Sequence, residues 1–394
     1  MLSDRAHIVT LVVMLGSFLL AGVGTPSPAS AELAVQPRFI VEEEYSDNYF
    51  LSQTHEVPVW QTRASPGIAI NGLTERSRLD LDYTFSYFWH RTDRNDVDMS
   101  KQNYAGHDLS LLGSYLIGTR VTLGLTEQYI LTREPAASDA LSNIIDRNRF
   151  WRNRVAPFIS YDMAQWGEVK ISYRKERLEW LEQDPDQENS SENRVVLAVT
   201  HHLNTTNQAE LEGQVWKRDN GGTLSDYVAY QGKLILRHEF NSLVSGQAGV
   251  GYQERHFQQS GLGNWGEPIL QVGLKGATER SKLSLFLQRN LVDYTIGNDY
   301  FKAYRGELSA EHVAFDVIRG YAGGYYQTSI YKFSPREDHT VSGHVGLGYR
   351  FVRDIFELGV EYGYTDRSSN ESGRGYEENR VFLRFTTLYD VGSK

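Results

Sequence analysis

The sequence predicts an all-β fold: a transmembrane antiparallel up-and-down β-barrel of about 18 strands, with short periplasmic turns and long extracellular loops. Three observations carry this prediction. Apolar and polar residues alternate with period two along most of the chain, the pattern of strands with one greasy face. Short and long connections alternate, as they do in bacterial outer-membrane barrels. The polar faces hold formal charges, where Ser and Thr would suffice for a soluble sheet.

The first element is not a strand. Arg5 and His7 precede an apolar run, IVTLVVMLGSFLLAGV (8–23), and Ala29-Ser30-Ala31 follows. A charged start, an apolar centre and a small-x-small site read as a secretory signal peptide. Cleavage is expected after Ala31, leaving a barrel domain over 32–394 and an exported protein. Only about five residues then precede the first strand, too few for a folded N-terminal plug.

Eighteen period-two segments follow, at 37–45, 58–71, 77–90, 104–117, 119–132, 149–162, 166–180, 193–203 and 207–218, then 227–239, 242–256, 267–276, 280–291, 300–311, 316–330, 339–351, 354–365 and 377–389. RSRLDLDYTFSYFWH (76–90) shows the pattern. Leu79, Leu81, Tyr83, Phe85, Tyr87 and Trp89 share one parity, Asp80, Asp82, Thr84, Ser86 and His90 the other, and only Phe88 is out of place. Segments of nine or more residues suit a bilayer crossing better than soluble strands of five or six. Connections such as Gly118-Thr119 and Asn241-Ser242 are short. Those at 46–57, 91–103, 133–148, 181–192, 219–226, 257–266, 292–299, 331–338 and 366–376 are long, polar and irregular, as solvated tips are. Gly72-x-Thr-Glu-Arg-Ser-x-Leu-x-Leu81 recurs as Gly276-x-Thr-Glu-Arg-Ser-x-Leu-x-Leu285, so these two turns should lie on the same side of the barrel.

Parity assigns the faces. Val169, Ile171, Tyr173; Leu283, Leu285, Leu287; and Val381, Leu383, Phe385 should meet lipid. A one-residue slip would invert every side chain, and Arg or Lys facing mid-bilayer costs about 2–4 kcal/mol. The opposite parity supplies the expected pore-lining residues: Arg63, Asp80, Asp82, Asp108, Arg152, Arg154, Lys170, Arg174, Glu210, Glu212, Arg237, Arg305, Arg319, Tyr321, Tyr325, Arg350 and Glu361. Aromatics near segment ends, among them Trp60, Trp89, Trp151 and Tyr362, fit interfacial girdles. Glu127 shares parity with Val121, Leu123 and Leu125. Either a bulge near Gly124 turns it inward or it sits above the bilayer, and both placements stay open. Eighteen strands leave an aqueous channel unless loops fold into it.

The composition narrows the function. The chain has 394 residues, a formal net charge of −10, 24 Tyr and no cysteine, so disulfides and thiolate metal chemistry are out. No basic run points to nucleic acid. His201 and His202 are adjacent on a strand and point to opposite faces, so they cannot chelate one ion. Glu42 to Glu44 with Asp47 and Asn48 offer oxygen ligands for a divalent cation, but a solvated strand end is the plainer reading. GHVGLGYR (343–350) looks like a nucleotide loop, yet it lies inside an alternating strand with no helix after it. Its glycines instead let neighbouring aromatics pack on the sheet. Nothing places a nucleophile beside a base, so no enzyme, metal or cofactor is expected. Arg152, Arg154, Lys170 and Arg174 facing Asp80, Asp82 and Asp108 would set a field across a pore, unless salt-bridge ladders neutralise them.

Glu43-Glu44-Tyr45-Ser46-Asp47-Asn48-Tyr49-Phe50-Leu51, Ser65-Pro66-Gly67-Ile68 and Ser77-Arg78-Leu79-Asp80-Leu81-Asp82-Tyr83 resemble the putative β-barrel porin-2 family of outer-membrane proteins, most sharply over 38–90. The resemblance implies an outer-membrane channel, sometimes linked to exopolysaccharide secretion, and brings no catalytic residues. The last strand, ending on Val381, Leu383, Phe385, Thr387 and Tyr389, resembles the C-terminal signal read by barrel assembly machinery. The expected function is a porin-like channel for polar solutes in the outer membrane of a Gram-negative bacterium, or an exopolysaccharide conduit, with outer-membrane lipid as its surroundings. Lumenal Tyr321 and Tyr325 would stack on sugar rings. The alternatives are a non-conducting structural or adhesive barrel acting through its loops, and a barrel hydrolase.

Overall fold

The computed structural model describes residues 32–135, 147–182, 188–222, 225–259, 261–293, 300–352 and 355–388. The leader expected at 1–31 lies outside the described residues, as does the chain from Tyr389 onward. The chain forms strands β1 (Glu32–Ser46), β2 (Val59–Leu73), β3 (Ser77–Arg91), β4 (Tyr104–Ile117), β5 (Val121–Thr132) and β6 (Phe150–Asp162). Next come β7 (Gly167–Trp180), β8 (Ser190–His202), β9 (Asn207–Asn220), β10 (Tyr227–Glu239), β11 (Val244–Phe257) and β12 (Trp265–Ala277). The series ends with β13 (Ser281–Asp293), β14 (Tyr300–Ala314), β15 (Ile318–Tyr331), β16 (Glu337–Phe351), β17 (Phe356–Ser369) and β18 (Tyr376–Leu388). Each strand pairs antiparallel with its sequence neighbours, and β1 pairs with β18. The sheet is therefore closed and has no edge. The eighteen expected segments map one to one onto these strands.

Register holds the two parities apart. Glu42 lies opposite both Arg63 and Arg384, and Thr84 lies opposite both Gly67 and Asp108, so one face can be followed from strand to strand. The other face is an apolar outer band in which Ile171, Val272, Leu283 and Leu383 are exposed. Phe88, the exception in the 76–90 alternation, belongs to the inner parity and stacks on Tyr104 at 4.4 Å.

Glu127 points outward. The β4–β5 and β5–β6 ladders run through it without a bulge, with Leu111 and Val155 opposite. It accepts a 2.9 Å hydrogen bond from Asn153 Nδ2, two residues below the outward Tyr129 in its own strand. His201 also lies on the outer parity, its Nδ1 2.8 Å from the Trp166 carbonyl oxygen, and His202 lies on the inner parity.

The two copies of the Thr-Glu-Arg-Ser turn are built alike, and both lie at the short-turn end. Thr74 Oγ1 accepts from the Ser77 amide at 2.8 Å, and Thr278 Oγ1 from the Ser281 amide at 2.9 Å. Gly167 opens β7 at the end of the β6–β7 turn. Its φ is +124°, and a Cβ there would sit 1.9 Å from the Thr200 carbonyl oxygen. Gly167→Ala should cost about 1–3 kcal/mol, the usual price of a forced backbone conformation. Gly118→Ala, at φ +63° in open space, should cost less. Urea unfolding of the refolded barrel would rank them.

Candidate functional site

Inside the barrel, the charged side chains form a ladder of pairs. Arg63 reaches Glu42 at 2.9 Å, and Arg384 also bonds Glu42. Asp80 takes Arg78 at 2.6 Å, and Asp82 is paired with Arg38. Arg154 bonds Glu176, and Arg174 reaches Glu192 at 2.7 Å. Glu210 holds Arg237 at 3.0 Å, and Glu212 holds Lys233 at 3.1 Å. Arg319 and Arg350 share Glu357 at 2.8 and 3.1 Å. Tyr321 donates to Glu361 at 2.7 Å.

The remaining expected residues occupy the same parity. Lys170 Nζ lies 4.2 Å from the Phe158 ring centroid, and Arg305 lies 3.6 Å over Tyr325 while pairing with Glu307 at 3.1 Å. Asp108 and Arg152 face the same Ile130, from β4 and β6. Most partners are on the next strand, so opposite signs meet along the wall. This favours salt-bridge ladders over a field spanning the pore. The acids of the N-terminal cluster are engaged in the same way. Glu42 holds two arginines, Glu44 accepts from Gln61 at 3.0 Å, and Asp47 takes the Asn379 side chain at 2.7 Å. No group of three or more His, Asp or Glu among the described residues is placed to hold a metal ion.

Three clusters of buried apolar residues gather at the long-loop end. There the β13–β14 hairpin parts from β12, while β14 stays paired with β15 as far as Phe301. The β12–β13 ladder stops at Leu270–Arg289, although both strands continue. On one face of the hairpin, Val292, Phe301 and Ala303 pack with Phe150, Leu178 and Trp180 from β6 and β7. On its other face, Leu291 and Tyr300 pack with Trp216, Tyr227, Ala229 and Trp265 from β9, β10 and β12. β6 and β14 are eight strands apart in a closed sheet of eighteen. A segment touched on both faces by opposite stretches of the inner wall lies across the lumen.

Polar contacts fasten this hairpin. Asp293 accepts from Arg255 at 2.7 Å, from Arg218 at 3.1 Å and from the Tyr227 hydroxyl at 2.8 Å. Tyr300 donates to the Ser225 carbonyl at 2.7 Å. Arg255 is only 2% exposed, so an ionic partner there matters. Parity alone would send Leu291 and Asp293 into lipid. The available signal is Leu291-Val292 on one side of the loop and Tyr300-Phe301 on the other, which make both faces of the hairpin greasy.

A second set of contacts forms just before β6. Arg147 binds Glu134 and, across the mouth, Glu378 of β18, both at 3.1 Å. Its guanidinium lies 4.6 Å over the Tyr49 ring. Tyr49 packs with Val57 of its own loop, Val59 at the start of β2 and Met99 between β3 and β4. Burial pushes its hydroxyl above the ordinary tyrosine range, so it stays protonated.

Residues 222–388 match the family model described as putative beta-barrel porin 2. The resemblance expected from the sequence is borne out, although through a different stretch from 38–90. No curated protein matches the chain. Among solved structures, Pseudomonas aeruginosa OpdK with vanillate is similar at a TM-score of 0.51 and 10% identity, covering 90% of this chain and 99% of that one. Acinetobacter baumannii OccAB4 is similar at 0.50 and 11%, covering 93% and 100%. P. aeruginosa OccK2 (OpdF) with glucuronate is similar at 0.51 and 11%, covering 91% and 98%. At these identities the likeness is one of fold.

Proposed function

We propose that this porin-like outer-membrane barrel is a passive channel for polar solutes. Its selecting passage lies at the outer mouth, between the β13–β14 hairpin and the wall. The carrying observation is the hairpin, with each face against a different stretch of inner wall. A barrel this wide would otherwise be open, and a segment lodged in the mouth limits what passes by size. Below it, the charged inner residues named above line the water path and keep a permeating solute hydrated. Export through a leader cleaved after Ala31, and assembly through the β18 signal, complete the proposal.

Planar-bilayer recording of the refolded protein tests this. A channel gives discrete current steps, and a structural barrel with a filled lumen gives none. Vanillate and glucuronate, present in two of the similar structures, are suitable first solutes for liposome swelling. A polysaccharide conduit is the second reading, favoured by Tyr321 on the inner wall. Swelling with oligosaccharides of increasing length separates the two, because a size-limiting mouth imposes a cutoff after the first few units.

A further inference from the structure

On the outer face of β5, β6 and β7, one register row runs Glu127–Val155–Lys175. An acid and a base thus flank β6, one strand away on either side and about 10 Å apart. Among the described residues neither enters an ion pair. Glu127 accepts a hydrogen bond only from the Asn153 amide, at 2.9 Å, and Lys175 is exposed with no partner. Nearby outward charges differ, because Arg177 pairs with Glu179 and Lys217 with Asp219 in their own strands. Glu127 and Lys175 each lie two residues from an outward tyrosine, Tyr129 and Tyr173. Such aromatics mark the membrane interface, and an ionisable group facing lipid is costly unless it is paired.

We propose that this face is the interface of a symmetric dimer, in which a second copy of the chain supplies the missing ionic partners. Two barrels inserted in the same direction form a closed pair only about a twofold axis along the membrane normal. An axis over Val155 sets β5 of one copy against β7 of the other. Glu127 then meets the partner's Lys175, and Lys175 meets the partner's Glu127. Two like charges at these positions would repel across the axis, whereas opposite signs make the face complementary to itself. Strand tilt offsets each pair in height by about 6 Å over two strand spacings, a gap that a lysine stem reaches across. Nearer the short turns, Leu123, Ile159 and Ile171 form another row on the same three strands, and all three are exposed. They give the two copies an apolar contact below the ion pairs.

The test is energy transfer between copies in lipid vesicles. The chain has no cysteine, so Thr119→Cys, in the short turn between β4 and β5, gives a single site for a dye. Donor- and acceptor-labelled protein, reconstituted together at a low protein-to-lipid ratio, should show transfer that excess unlabelled protein abolishes. Glu127→Lys or Lys175→Glu should weaken association roughly a hundredfold, because like charges then face each other twice. Glu127→Lys combined with Lys175→Glu should restore it. Heat-modifiable gel mobility confirms that each variant is folded. No transfer in the protein with its natural charges leaves both groups to lipid headgroups and overturns the interface. Single reversals that associate undiminished, or a double reversal that does not recover, overturn it as well. The readout does not depend on conduction, so loss of the dimer would leave the channel standing.

Discussion

Asp293→Ala is expected to open the outer mouth, raising single-channel conductance and admitting larger solutes. The substitution leaves Arg218 and Arg255 facing each other with their shared carboxylate gone, and it removes the acceptor for the Tyr227 hydroxyl. Breaking a buried ion pair by deleting one partner costs about 3–5 kcal/mol. That shifts a docked-to-undocked ratio by roughly two to nearly four orders of magnitude. The cost falls on the hairpin, because the barrel wall below keeps all its ladders. Asp293→Asn keeps the size and a hydrogen-bonding oxygen, and should give an intermediate change. Unchanged conductance and an unchanged swelling cutoff in Asp293→Ala would show that the hairpin does not limit passage.

The second large effect tests which face meets lipid. Val272 and Gln271 are adjacent on β12, Val272 in the exposed apolar band and Gln271 on the inner parity opposite Gly249 and Gln288. Val272→Arg should destabilise the barrel by about 2–4 kcal/mol in a bilayer, the cost of Arg at the midplane. Gln271→Arg should cost much less, because water reaches its guanidinium. Guanidinium-chloride unfolding in lipid vesicles measures both. Equal penalties, or a larger one for Gln271→Arg, would invert the assignment of faces.

The wall was legible in the sequence because a closed sheet between lipid and water imposes period two at every position. The eighteen segments, the paired turns at Thr74 and Thr278 and the inner parity of residues such as Arg154 and Glu210 all follow from that constraint. The mouth was not legible in this way. Leu291, Asp293 and Tyr300 keep the parity of the outer face while the hairpin, parted from β12, packs that face against the inner wall, and the partners of Asp293 lie on β10, β11 and β9, 38 or more residues earlier in the chain. Alternation is a local signal, and a hairpin bent across the lumen satisfies its side chains through distant contacts. Arg147 and Glu378 are separated by 231 residues, and no local pattern joins them. Glu127 stayed ambiguous for a related reason: its partner, Asn153, is on the next strand.

The pairing of β1 with β18 makes the order of strands circular. Glu42–Arg384 and Ser46–Glu378 sew that seam with the same kinds of contact found elsewhere on the wall. Where the chain is interrupted is then a matter of covalent bookkeeping. A circular permutant joined across the seam and cut at another short turn, such as Gly118-Thr119, would present each strand with the same two neighbours and should close into the same barrel.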